Sequence, residues 1–238
     1  MTMIQLQSAV TSAASTRLAG LAPLDDAGFA ALQKAERNAR RLQARREIIS
    51  EGQRFAEATI LLSGWACRTH VLKDGRRQIL GFILPGDLIG MNWHPRAVVP
   101  YNVFALTEIV VCQAPPLGTG ADLDEAYALS KAWDDAYTWR HITRLGRLSA
   151  YERIADLILE LFERLQSAGL TVGNRFQMPL TQEILADALG LTTVHVNRTM
   201  QALRQSGLLS VEARSAFIAD RDALMSLLDR RTMAVQSQ

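Results

Sequence analysis

The chain has 238 residues, 48% of them apolar and 21% charged, and a formal net charge of +2. That length suits two modest domains, each with its own core, and the near-neutral balance excludes a histone-like or coat protein held to nucleic acid by bulk charge. No apolar stretch is long enough to cross a bilayer and the opening residues lack the basic start and apolar run of a secretory signal, so no membrane partner is expected and the expected compartment is the cytoplasm.

The first sixteen or so residues, rich in Ser, Thr and Ala, have no sustained periodicity and read as a mobile tail, drawn here over residues 1–20. A short helix is expected from Leu24 to Leu32, and the basic run Arg37 to Arg46 reads as a solvated surface beside the first strand. From Ile48 to Val111 short strands alternate with turns. Trp65, Cys67, Thr69 and Val71 alternate with Ala66, Arg68 and His70, Lys73 to Arg76 forms a hairpin turn, and Gln78 to Leu84 is the returning strand. Pro85-Gly86-Asp87 turns again, and Ile109 to Cys112 is a last strand before Pro115 and Pro116. Such a pattern predicts a small jelly roll or barrel over residues 21–120. Cys67 and Cys112, the only cysteines, match no metal or disulfide spacing and read as small buried hydrophobes on strands.

A long helix is expected from Asp122 to Leu148, where Ala126, Leu129, Trp133 and Ala136 recur at the spacing of a coiled-coil seam and Trp139, Ile142, Leu145 and Leu148 continue a drifting apolar stripe. That stripe is wide for one partner. Leu129, Trp133, Ala136, Ile142 and Leu145 are therefore the candidate dimerisation residues, within a segment spanning 121–148. An amphipathic helix follows from Tyr151 to Gln166, and Gly169 to Pro179 reads as a loop.

Two short helices joined by a tight turn explain nearly every residue between Pro179 and Leu209. Thr181 can cap the first, with Gln182 in its opening turn and Gly190 as its left-handed exit; Thr192 can cap the second, which Gly207 ends. At about 100° per residue, Val196, Met200 and Leu203 share one face of the second helix while Val194, Asn197, Arg198 and Gln201 share the opposite one. One face is core and the other is free to read something. Leu208 to Val211 and Ala216 to Ile218 then form strands around a polar tip with Arg214 and Ser215, which is a wing. Residues 149–238 thus read as a winged helix-turn-helix that binds double-stranded DNA. From Ala150 onward Asp and Glu slightly outnumber Arg, so such binding must rest on a few focused groups and helix N-termini, and it needs dimerisation.

This order of parts, with Leu62 to Cys67, Asp74 to Ile79, Leu84 to Gly90, Leu180 to Gly190 and the Asn197-Arg198 pair inside it, resembles the Crp/Fnr family of bacterial transcription regulators. The resemblance implies an α+β protein with a cyclic-nucleotide-binding-like jelly roll, a long dimer helix and a winged helix-turn-helix that docks in the major groove of each operator half-site. It further implies a homodimeric, non-enzymatic regulator that contacts RNA polymerase if it activates. The DNA-contact candidates are Thr181, Gln182, Thr192, Thr193, Val194, His195, Asn197, Arg198, Gln201 and Arg214. Where the family often carries a glutamate that accepts from cytosine this chain has Val194, which can pack on a thymine methyl, while Arg198 keeps its guanine.

Members that bind cyclic AMP place a Gly-Glu pair on the ribose and an Arg-Ser pair on the phosphate. Here the matching stretch is Gly90-Met91-Asn92 followed by Tyr101-Asn102, without the glutamate or the arginine, so these five are the ligand-site candidates and control by cyclic AMP is not expected. No cysteine cluster precedes the barrel for an iron-sulfur centre, and none is expected. Cys67, His70 and His94 could ligate a haem, which leaves a ligand-sensing barrel protein as an alternative; no cofactor is assigned. A cupin-like metal protein is a further alternative that the scattered histidines, His70, His94, His141 and His195, do not favour, and no metal site is expected.

Overall fold

The computed structural model describes residues 12–54, 57–91 and 98–228. Helices α1 (Ala13–Leu21) and α2 (Asp26–Glu36) precede eight strands: β1 (Arg40–Leu42), β2 (Glu47–Ile49), β3 (Thr59–Ser63), β4 (Ala66–Val71), β5 (Arg77–Ile83), β6 (Leu88–Ile89), β7 (Asn102–Ala105) and β8 (Ile109–Gln113). Helices α3 (Ala121–Arg147) and α4 (Ala150–Ser167) lead to β9 (Thr171–Val172), β10 (Arg175–Gln177), α5 (Gln182–Leu189), α6 (Thr193–Gln205), β11 (Leu209–Glu212), β12 (Ser215–Ile218) and α7 (Arg221–Leu227).

The first eight strands form two antiparallel four-stranded sheets, in the orders β1-β8-β3-β6 and β2-β7-β4-β5. Inward side chains of both, among them Ile49, Leu61, Ala66, Ile83, Val103 and Val111, make the core of the jelly roll. Cys67 on β4 and Cys112 on β8 are free and buried, and burial pushes their thiols up to about 12 and about 11. The basic run enters β1, where Arg40 and Arg41 stay exposed and Arg41 pairs with Glu108 at 2.9 Å.

Two expectations from sequence fail. The mobile tail drawn over 1–20 does not hold where the chain is described: Ser12 caps α1 by accepting from Ser15 N, and Ala14 and Leu18 are fully buried against α2 and α3. Nine residues are too short to show a period, and it is docking that holds them helical. The loop expected over Gly169 to Pro179 contains the hairpin β9-β10, and β10 pairs with β12 to give a wing sheet ordered β11-β12-β10-β9. Strands of two and three residues lie below any periodicity signal.

Ser149 and Glu152 form a capping box that starts α4. One core then joins the two halves of the chain: Trp65, Phe82 and Leu84 on the outer face of the β4-β5 hairpin pack in the same cluster as Leu157, Leu161 and Phe162 of α4 and the winged-helix core. The barrel sheet is covered on both faces there.

Candidate nucleic-acid interface

Each helix of the pair starts as its sequence dictates. Thr181 Oγ1 accepts from Ile184 N and Thr192 Oγ1 accepts from His195 N, both at 3.2 Å. Gly190 leaves α5 at φ 62°, where a side chain would be strained, and Gly207 does the same after α6. Val196 and Leu203 are fully buried against the domain core, with Met200 half-buried beside them. Tyr151 of α4 and Ser206 hydrogen-bond at 2.8 Å, and Arg153 donates to Leu189 O at 3.1 Å, so α6 is fastened at one end and the inter-helix turn at the other.

The opposite face of α6 is open. Thr192, Thr193, Val194, His195, Arg198 and Gln201 are exposed, and Asn197 is half-buried with its Oδ1 accepting from Gln201 Nε2 at 2.9 Å. No acidic residue occupies the first turn of α6, so no side-chain charge neutralises the positive end of that helix. Thr181 and Gln182 are exposed at the start of α5. In the wing, Ala213 and Arg214 both have positive φ, 48° and 64°, forming a two-residue reversal that holds the exposed Arg214 side chain at the tip. Met178 N donates to Arg214 O at 2.8 Å and pins that tip to the sheet.

The ligand-site candidates separate. Gly90, Met91 and Tyr101 do line one cavity, of about 110 Å³, together with Arg68, Ser130 and Asp134. Asn102 does not; its Oδ1 accepts from Glu51 N at 2.8 Å, because β7 turns that side chain to the β2 edge. Asn92 and His94 lie outside the described residues. Sequence reading missed Arg68 of β4, which pairs with Asp134 of α3 at 2.5 and 3.1 Å and lies over the Tyr101 ring, bridging barrel and helix across this space. Alternation placed Arg68 and Cys67 on opposite strand faces, but nothing local relates position 68 to position 134. Small-molecule pockets hold about 300–1,000 Å³, well above what remains here. A larger open cleft of about 750 Å³ lies outside the jelly roll, between α2 and β8. Of the haem-type residues, Cys67 is buried and His70 pairs with Glu51 at 3.2 Å on the surface. Among the described residues no three His, Cys, Asp or Glu side chains cluster as a metal site would require, and no helix is long and apolar enough to cross a membrane.

The long helix spreads the dimerisation candidates over more than one face. Leu129 packs with α1 and α2, Trp133 is half-buried and stacks on Tyr137 at 5.7 Å, Ala136 is half-buried, and Leu145 reaches the inter-helix turn beside Gly190. Ile142 is 56% exposed, and with it Trp139 at 68%. The open stripe runs through Ala128, Ala132, Asp135, Trp139, Ile142 and Gly146, alternating four and three residues apart. It lies one position from the seam drawn through Leu129, Trp133 and Ala136, because tertiary packing, invisible in the pattern, claims those three.

Charges fill the junction of α3 and α4. Arg144 donates to Asp156 and Glu160 at 2.8 and 2.6 Å, Arg140 forks onto Asp156, and all but Arg140 are buried. Arg144 also donates to His141 Nδ1 at 3.3 Å, and burial first, then the Arg144 charge, holds the His141 pKa below the usual imidazole value. A folded-state pKa below the unfolded one means that stability is complete above about pH 6.5 and declines as pH falls through the folded value. His141→Gln should flatten this mildly acidic slope, which denaturant titrations from pH 7.5 to 5 can read; equal slopes in both proteins would refute the assignment.

Residues 39–116 match the cyclic nucleotide-binding domain and residues 152–227 the Crp-like helix-turn-helix domain. The chain is 32% identical over 193 residues to the transcriptional activator protein FnrL of Cereibacter sphaeroides, an alignment covering 74% of this chain and 73% of that protein. It is 33% identical over 147 residues to the nitrogen fixation regulation protein FixK of Bradyrhizobium diazoefficiens, covering 59% and 61%. The structure of FixK2 from Bradyrhizobium japonicum superposes with a TM-score of 0.70 at 26% identity, over 83% of this chain and 98% of that one. With a jelly roll, a long helix and a winged helix-turn-helix in this order, the chain belongs to the Crp/Fnr family of bacterial transcription regulators and is a DNA-binding protein of that type.

Proposed function

We propose that this regulator is a homodimer whose two α6 helices enter the major groove at the half-sites of a two-fold symmetric operator, and that neither cyclic AMP nor cyclic GMP is needed. The outward face of α6 carries this reading, exposed along Thr193, Val194, His195, Arg198 and Gln201 while Val196 and Leu203 are locked in the core. Arg198 presents a planar fork suited to guanine, Val194 an apolar surface suited to a thymine methyl, and Asn197 an amide beside them. Thr181, Gln182, Thr192 and Arg214 are exposed, and we assign them as phosphate contacts around that face. Trp139 and Ile142 supply the unpartnered apolar stripe that a second copy would cover. Nucleotide independence is supported by the Arg68–Asp134 pair and by the small volume beside it. The relatives named as activators favour activation, with RNA polymerase as the further partner.

Selection of bound sequences from random duplexes, followed by calorimetry, tests the proposal. A two-fold sequence should be enriched, and its affinity should not change when either cyclic nucleotide is added. Enrichment of no two-fold sequence would overturn the operator reading; a micromolar or tighter nucleotide constant would overturn the independence.

A further inference from the structure

We propose that α1, the β5-β6 turn and α4 form an interdomain latch that fixes where α6 stands relative to its dimer axis, with Arg17 as a positioning residue for operator recognition; this rests on the two-fold operator reading above. The centre of the latch is Asp87 in the Pro85-Gly86-Asp87 turn, 2% exposed. Its carboxylate accepts from Leu84 N at 2.7 Å, from Arg17 of α1 at 2.9 Å and from Arg164 of α4 at 2.5 Å. Arg17 also donates to Gly86 O and to Ser130 of α3, each at 3.3 Å. Arg164 donates to Phe82 O at 3.0 Å and to Glu160 at 3.3 Å, with its guanidinium 4.5 Å from the Tyr137 ring centre. Glu160 continues the chain of charges to Arg144 and Asp156.

Two parts of the amino-terminal half, α1 and the β5-β6 turn, and the first helix of the DNA-binding half therefore converge on one buried carboxylate. Gly86 lets α1 come this close: it has φ +90°, and a Cβ there would lie 2.8 Å from the Arg17 side chain. A second fastening lies on the same side, where Arg77 of β5 grips Asp187 of α5 at 2.6 and 2.8 Å and Gln78 donates to Ala188 O at 3.2 Å. The apolar contacts of Phe82 and Leu84 with α4 favour burial but are not directional, and would tolerate sliding or rotation. Buried ion pairs are directional, because a rotation that parts Asp87 from Arg164 breaks a charge-assisted hydrogen bond in an interior where water cannot replace it. The latch is closed while the reading face of α6 stands open to solvent, so closure and an accessible recognition helix belong to one arrangement of the chain.

A two-fold site makes that orientation measurable. Moving the half-sites by one base pair displaces them by about 3.4 Å and rotates them by about 34°, which a rigid dimer resists and a loosened one absorbs. The test uses the full-length protein and Arg17→Met, Arg77→Met and the double variant, each assayed on the selected operator and on operators with one base pair added or removed between half-sites. Wild type should lose at least about tenfold in affinity on either altered spacing, and each latch variant should lose several-fold less, while circular dichroism and sedimentation show a folded dimer. Arg77→Met carries the test if Arg17→Met does not fold, since its ion pair is partly exposed and its loss costs little stability. Folded, dimeric variants that keep the wild-type spacing ratio would overturn the latch alone. A wild-type protein that selects no two-fold operator would overturn the operator reading and the latch with it.

Discussion

Replacing Trp139 and Ile142 together by glutamate is expected to yield a folded monomer whose operator affinity falls by about 10²–10⁴-fold, the share that coupling two recognition helices supplies. Both side chains are more than half exposed in the single chain, so the substitutions remove little intrachain packing and the monomer should retain its thermal transition. In a dimer they would bring four carboxylates into an apolar seam, where an unpaired charge is strongly unfavourable. Trp133→Glu is the contrasting control. Trp133 stacks on Tyr137 within its own chain, so its replacement should lower stability more than it changes mass. Sedimentation of the Trp139/Ile142 variant at the wild-type mass would remove the basis for a seam on this stripe.

The contrast between those tryptophans shows where reading from sequence stops. Both lie on an apolar stripe of one helix, and periodicity finds the stripe without saying which edge of it packs at home. The helix-turn-helix was fully legible because its determinants are local: Thr181 and Thr192 cap within three residues, Gly190 and Gly207 adopt their turns alone, and Val196 and Leu203 follow the helical period. The hairpin strands β4 and β5 and the strand β8 were legible for the same reason. What escaped depends on partners far along the chain. The helical state of Ala13–Leu21 rests on docking and on Arg17 reaching Asp87, and the bridging of the barrel space rests on Arg68 meeting Asp134. Asp156, Glu160 and Arg164 of α4 are likewise buried by partners that the helical period does not indicate: Arg164 pairs with Glu160 and with Asp87 of the barrel, and Arg144 of α3 pairs with Asp156 and Glu160.

Arg198→Ala should weaken binding to the selected operator by about 1–3 kcal/mol per half-site and relax preference at one base pair in each, the signature of a missing bidentate hydrogen bond to guanine. The side chain stands on the exposed face of α6, one residue after Asn197, and no acidic neighbour in the first turn competes for its guanidinium. Arg214→Ala in the wing should behave differently. Its positive-φ backbone can pass to alanine without a new kind of strain, since Ala213 beside it already adopts that conformation. Removing its charge should therefore weaken all sequences about equally and reduce the slope of affinity against salt by about one unit for each phosphate it no longer neutralises. Measured at fixed salt, the pair of variants separates base reading from backbone holding. Uniform weakening by Arg198→Ala with base preference intact would assign Arg198 to phosphate, and the readout would then fall to Thr193, Val194 and Asn197. Of these, Asn197 is the one whose amide is already oriented, its oxygen held by Gln201 and its N–H groups left to donate to a base acceptor.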